Sequence, residues 1–441
     1  MSRVLQRSCS VSLPTVARGE GAYLIDSNGK QYLDACGGAA ISCLGHSNQS
    51  VKKAIQEQLD QVAFAHTSFF TNQPQEELAE HLINHAPNGF SSVYFVSGGS
   101  EAVETALKLA RQYFVEVGLT DKKYIIARRQ SYHGNTVGAL SVGGNFWRRA
   151  MFDPILIPGH HISPCYAYRD KKESESTYEY GQRVANELEA EILQLGEENV
   201  AAFIAETIVG ATAGAVPAVE GYFKRIREIC DQYNVLLILD EVMCGMGRSG
   251  NLHASEQEGI VADIQPVAKG IAGGYQPLGA VLIADKIIKA IREGSGAFQH
   301  GYSYIGHAVA CAAGLAVQKE IQEKNLLDNV RQQGELLQNL LKKSAINHPY
   351  IGDIRGRGLL IGVELVKDKI NKTPFSPEEK IHAKIKQLAL QKGLMVYPMG
   401  GTIDGKYGDH VLLAPPFIIN ETQIEEITEK LISSINEATH Y

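Results

Sequence analysis

The stretch SVYFVSGGSEAVETALKLAR, Ser92 to Arg111, carries a complete strand, turn and helix in twenty residues. Ser92–Val96 is a short apolar run with no polar alternation, as in a strand buried on both faces. Two glycines turn the chain. Val103, Ala106, Leu107 and Ala110 then recur at helical spacing. The same alternation continues through the middle of the chain. Tyr124–Ala127, Ala201–Ala205, Val235–Leu239 and Val281–Ala284 read as further strands, with amphipathic stretches such as Phe223–Tyr233 between them. This is the pattern of an α/β fold with a largely parallel sheet.

The two ends read differently. GAYLIDSNGKQYLDA is a hairpin turning at Asn28-Gly29, a strong turn dipeptide. After residue 326 come a helix, a strand at Leu359–Leu365, a helix at Glu378–Leu390 and another strand. The expected division is therefore a large domain over residues 61–325 and a smaller α+β domain made of residues 1–60 and 326–441. A chain of 441 residues is too long for one ordinary core. The net charge is −7 and no basic run invites nucleic acid or anionic lipid. No apolar stretch approaches the roughly 18 residues that span a bilayer. The N-terminus lacks a secretory apolar core. Seven scattered cysteines without a CxxC pair fit a reducing, cytoplasmic setting.

Four stretches carry chemistry, each placed where a strand ends, and open α/β sheets bind ligands there. In SGGSEA, two glycines turn the chain and a helix begins at Ser100; the free N–H groups of its first turn, with the Ser100 hydroxyl, suit a phosphate, and taken alone the same turn is an ordinary serine cap. In SYHGNT, Tyr132 or His133 can stack on a flat ring, although a turn with a packed aromatic reads the same way. In VLLILDEV, Asp240 follows five apolar residues and needs a cation or donors, with Glu241 an equal candidate by spacing. In DIQPVAKGIAGGYQPLGAV, Lys269 stands alone among glycines and apolar residues. An amine there has a lowered pKa and is nucleophilic, unless its stem packs and its head reaches water. A phosphate cradle, an aromatic, a buried acid and a desolvated lysine together fit pyridoxal 5'-phosphate. The hexapeptide Gly245–Gly250, GMGRSG, matches a dinucleotide fingerprint literally. It neither closes an apolar strand nor opens an apolar helix, so it reads as a loop.

These motifs, with RGRGLLIGVEL, HGYSYIGHAVACAAGL and GDHVLLAPPF, resemble the class III pyridoxal-phosphate aminotransferases, the ω-transaminase group of fold type I. The resemblance covers nearly the whole chain. It implies a fold type I transferase with a mainly parallel seven-stranded sheet. It implies that Lys269 binds the cofactor and shuttles the proton, that Asp240 holds the pyridine nitrogen, and that Tyr132 and Val242 enclose the ring. Gly99 and Ser100 hold the phosphate, His133 lies beside the cofactor, and Glu206 steadies the site. Ser303 stands where relatives have a threonine reaching the neighbouring subunit's phosphate, which implies a homodimer with shared active sites. No residue is assigned to a metal.

The sequence departs from the family pattern in three places. No proline follows Glu206. Ala39 and Ala40 replace bulky pocket residues. Gly405, followed by Lys406, stands where many relatives carry a carboxylate-binding arginine. The candidate substrate residues are Ala39, Ala40, Phe69 and Lys406, with Arg148 and Arg149 as alternative cations. The expected activity is ping-pong transfer of an amino group from a primary amine or ω-amino compound to a small 2-oxo acid. Racemase, aminomutase or decarboxylase chemistry on the same scaffold is the alternative, and a nucleotide-binding oxidoreductase a distant one.

Overall fold

The computed structural model describes residues 3–9 and 11–441. At its centre is a seven-stranded sheet in the order Phe90–Val96, Gly279–Ala284, Ile264–Ala268, Leu236–Asp240, Val200–Glu206, Tyr124–Arg128, His160–Ile162. All pairings are parallel except those of Gly279–Ala284, which runs antiparallel to both neighbours. Successive residues enter different cores. Leu237, Leu239, Phe203 and Ala205 face one buried cluster, while Leu236, Ile238, Ala202 and Ile204 face another. Both faces are covered, which is why these strands show no polar alternation. At about 0.8 kcal/mol per buried CH₂, strands apolar on both faces have no other stable home.

The N-terminal hairpin pairs Tyr23–Asp26 with Gln31–Asp34, and the turn places Gly29 at φ +85°. The C-terminal Leu394–Met395 joins the same sheet by pairing in parallel with Leu33–Asp34. A second sheet orders Ile351–Arg357, Leu360–Leu365, Asp409–Leu413 and Tyr397–Gly400. Helices Leu326–Ala345 and Glu421–Thr439 bury Leu337, Leu341, Ile427 and Leu431 in one cluster with Leu33 and Leu394.

The structure corrects the sequence reading at one helix. The expected Glu378–Leu390 helix begins instead at Ile381. Ser376 and Glu379 cap a short 3-10 turn at Pro377–Glu379, and Lys380 at φ +50° breaks the path before the α-helix starts. Strands not anticipated include Val16–Glu20, His160–Ile162, Ile264–Ala268 and Ile351–Arg357.

Candidate active site

A cavity of about 430 Å³ opens beyond the C-terminal ends of the parallel strands. Ser97–Ser100, Tyr132–Gly134, Glu206, Asp240, Val242 and Lys269 line it together. Four separate sequence stretches thus meet at one place, and it is where strand carboxyl ends put ligands.

Asp240 ends its strand with its side chain buried. His133 Nδ1 lies 2.7 Å from one carboxylate oxygen, and the Val242 N–H donates to the other at 3.0 Å. Each oxygen has a second lone pair, so the group keeps capacity for one more donor. The other ring nitrogen of His133 is buried and finds no partner. Glu241 points the other way. It takes bonds from Thr207 Oγ1 and from the backbone N–H groups of Ala254 and Ser255, and burial pushes it up to about 7. The structure thus separates the two adjacent acids: Asp240 faces the cavity and Glu241 is spent on backbone.

Glu206 is the register partner of Asp240 on the adjacent strand. It accepts from the backbone N–H groups of Tyr132 (3.0 Å) and Gly210 (2.8 Å), and so fixes where Tyr132 stands. Burial raises its pKa, against the nearby His133.

In the same lining, helix Gly99–Glu116 begins one residue earlier than expected. Gly98 caps it without any side-chain hydrogen bond. Its first-turn N–H groups are therefore open toward the cavity, a setting for an anion. Ser100 Oγ accepts from the Asn135 N–H instead of capping its own helix. A Cβ at Gly99 would come within 2.7 Å of Val242 Cγ1, so glycine is needed for this approach.

Lys269 lies between these groups at φ +51°, a left-handed conformation rare for a side-chain-bearing residue. Strain of this kind, roughly 1–3 kcal/mol, collects at functional sites. Burial holds its amine down at about 8, against the opposing pull of Asp240 and Glu206. An amine, an acid with a spare lone pair, and an uncapped helix start in a cavity of this size fit pyridoxal phosphate end to end.

A second chamber of about 750 Å³ adjoins the first and shares Tyr132, Lys269 and Met243 with it. Ala39 lines this chamber. Ala40 does not: Gly37–Ala40 all have positive φ, and this left-handed turn buries Ala40 against Ile208 and Leu412. The structure also moves two other substrate candidates away. Phe69 is 78% exposed on the outer surface, and Lys406 lines a separate cleft with Phe146 and Trp147. Arg149 is committed to the Ser141 and Gly143 carbonyls. Arg148 does line the second chamber. Ser303 is exposed and outside both cavities. Sequence reasoning missed Ile41, Ala211 and Met243, which line both cavities, and Gln276 beside the first. Only Met243, next to Val242, carried any hint. The GMGRSG loop opens no helix. Its Arg248 is buried over the Phe417 ring and donates to the Leu359 and Pro415 carbonyls.

The model of the family described as "Aminotransferase class-III" matches residues 5–435. An uncharacterized aminotransferase of Schizosaccharomyces pombe is 46% identical over 96% of this chain and 92% of its own. A putrescine–pyruvate aminotransferase of Pseudomonas aeruginosa is 35% identical over 93% of this chain and 88% of its own. The crystal structure of the ω-transaminase from Pseudomonas jessenii, in complex with PMP, superposes with a TM-score of 0.93 at 34% identity, covering 100% of this chain and 97% of that one.

Proposed function

The chain belongs to the class III aminotransferases, and on that premise we propose that the two joined cavities move an amino group from a primary amine or ω-amino compound to a small 2-oxo acid. The enzyme is a pyridoxal-phosphate-dependent transaminase of fold type I. When bound, the cofactor supplies an electron sink for the pair left on the substrate carbon.

The protein's residues do the rest. The spare lone pair of Asp240 takes the ring N–H, and a charge-assisted bond there keeps the ring electron-withdrawing. His133 holds Asp240 in place from behind. Tyr132, fixed through its backbone by Glu206, and Val242 would enclose the ring. Gly99 and Ser100 present the open helix N–H groups to the phosphate. Lys269 Nζ would hold the cofactor, and the same amine would move the proton of the substrate carbon. Its pKa near 8 leaves a useful neutral fraction at mildly alkaline pH. One observation carries the reading: Lys269, Asp240 and the open helix start at Gly99 line one cavity.

Support for the donor class comes from Ala39, whose methyl group is all it adds to the lining of the second chamber. The name of the Pseudomonas aeruginosa relative points the same way. A second copy of the chain completes the site in this reading, with Ser303 reaching the partner's phosphate. The rings of Phe69, Phe70 and Tyr304 are exposed, as apolar side chains that meet a partner would be. The test is a half-reaction screen. Holoenzyme mixed with primary amines and ω-amino compounds should lose its lysine-bound cofactor absorbance. Discharge only by α-amino dicarboxylates would refute this donor class.

A further inference from the structure

We propose that Arg148 is the carboxylate anchor of the substrate chamber, the side chain that binds the carboxylate of the amino donor or of the oxo acid. The proposal rests on the aminotransfer reading above and names a specificity residue within it.

Arg148 sits on the short helix Phe146–Arg149, capped by Asn145. Its guanidinium carbon lies 4.6 Å from the centre of the Tyr132 ring. Tyr132 lines both the Lys269 cavity and the larger chamber, so the guanidinium stands one aromatic ring away from the reacting centre. The group is half-buried. Its Nε is buried without a partner, Nη2 has only the Met399 sulfur at 3.8 Å, and no carboxylate among the described residues pairs with it. Other arginines of the interior are spent: Arg149 on carbonyls, Arg355 on Glu364, Arg169 on Glu364. A planar fork left free in a partly dry chamber is matched by a carboxylate, which it can hold through two parallel bonds. Arg7 and Lys386 also line this chamber, but both are exposed, where water screens them. The one carboxylate in the lining, Asp26, is already bound by the Tyr32 hydroxyl and the N–H groups of Asn28 and Lys30. The lining also carries apolar side chains, among them Leu24, Ala39, Met243 and Val396. The chamber thus fits a substrate whose reacting carbon meets Lys269 and whose carboxylate meets Arg148.

The carboxylate can be that of the amino donor or that of the oxo acid, and the two half-reactions tell them apart. Holoenzyme would be discharged with a four-carbon ω-amino acid and with the unsubstituted alkylamine of equal length. Pyruvate would then be added to the pyridoxamine-loaded form. The readout is the ratio of kcat/KM for the acid to that for the alkylamine, together with KM for pyruvate. In Arg148→Gln the ratio should fall, the pyruvate KM should rise, or both, by about 10- to 100-fold, as expected for loss of a charge-assisted pair. Arg148→Lys should lose less, because it keeps the charge without the fork. If Arg148→Gln fails to load cofactor, the same ratio measured in Arg148→Lys decides. A change below twofold in both readouts overturns the proposal, as does a loss confined to Arg7→Ala or Lys386→Ala. If neither amine discharges the wild type, the donor class fails, while the pyruvate arm still reads Arg148.

Discussion

Asp240 and Glu206 are register partners at the ends of two adjacent parallel strands, and their carboxylates serve the same cavity with different partners. Glu206 takes two backbone N–H groups, one on each oxygen, and sets the position of Tyr132. Asp240 holds one N–H and His133 and keeps room for a further donor. The predictions below follow from this division of labour and from the packing around it.

Asp240 and its neighbour should separate by readout. Asp240→Asn should melt close to wild type and lose at least about 100-fold in kcat/KM, since an amide cannot supply the anionic partner of a ring N–H. Glu241→Gln should do the reverse. An amide can no longer accept from Ala254 and Ser255 with both of its ends, which costs about 1–3 kcal/mol of stability. Thermal melts beside steady-state kinetics check both.

Cofactor capture by the apoprotein should depend on pH through Lys269. Burial lowers this amine to about 8, so it is mostly ammonium below that pH and mostly neutral above it. Only the neutral amine attacks an aldehyde. The capture rate should therefore rise about tenfold per pH unit below 8 and level off above. A profile still rising toward pH 10 would place the lysine in water.

Gly99→Ala should weaken cofactor binding by about tenfold or more, because overpacking of this kind costs roughly 1–3 kcal/mol. The added carbon would meet Val242 at 2.7 Å. Adding Val242→Ala should restore part of the loss, and a titration of apoprotein with cofactor measures both variants. Additive losses would mean that the two residues do not press on one another.

Mixed dimers test the shared site. Lys269→Ala and Ser303→Asp protomers should each be nearly inactive as homodimers. Mixed, half of the sites in each heterodimer combine an intact Lys269 with an intact Ser303. Activity should return to about half of wild type per heterodimer, as simple site counting requires. No recovery would mean that each chain carries a complete site alone.

Much of this site was legible because its parts are short and contiguous. Strands such as Leu236–Asp240 are apolar on both faces, and the polar residue that ends the run marks the ligand edge. What stayed hidden depended on side-chain direction or on weak strands. Ile264–Ala268 carries Gln265 and Pro266, and His160–Ile162 has only three residues, so neither offered an apolar run. Ala39 and Ala40 look alike in sequence, but a left-handed turn sends one to the chamber and the other into a core. Lys406 follows Gly405, whose φ of +86° and close packing on Trp147 direct that loop to another cleft. No spacing rule could rank Arg148 over Arg149; their hydrogen bonds do.

The most direct test of the account is borohydride reduction of the holoenzyme followed by peptide mapping, with and without prior exposure to an amine that discharges it. The account predicts the pyridoxyl group on Lys269 alone, and its loss from that peptide once the amine has handed its nitrogen to the cofactor. A pyridoxyl group on any other lysine, or one that stays on Lys269 in full after discharge, would contradict it.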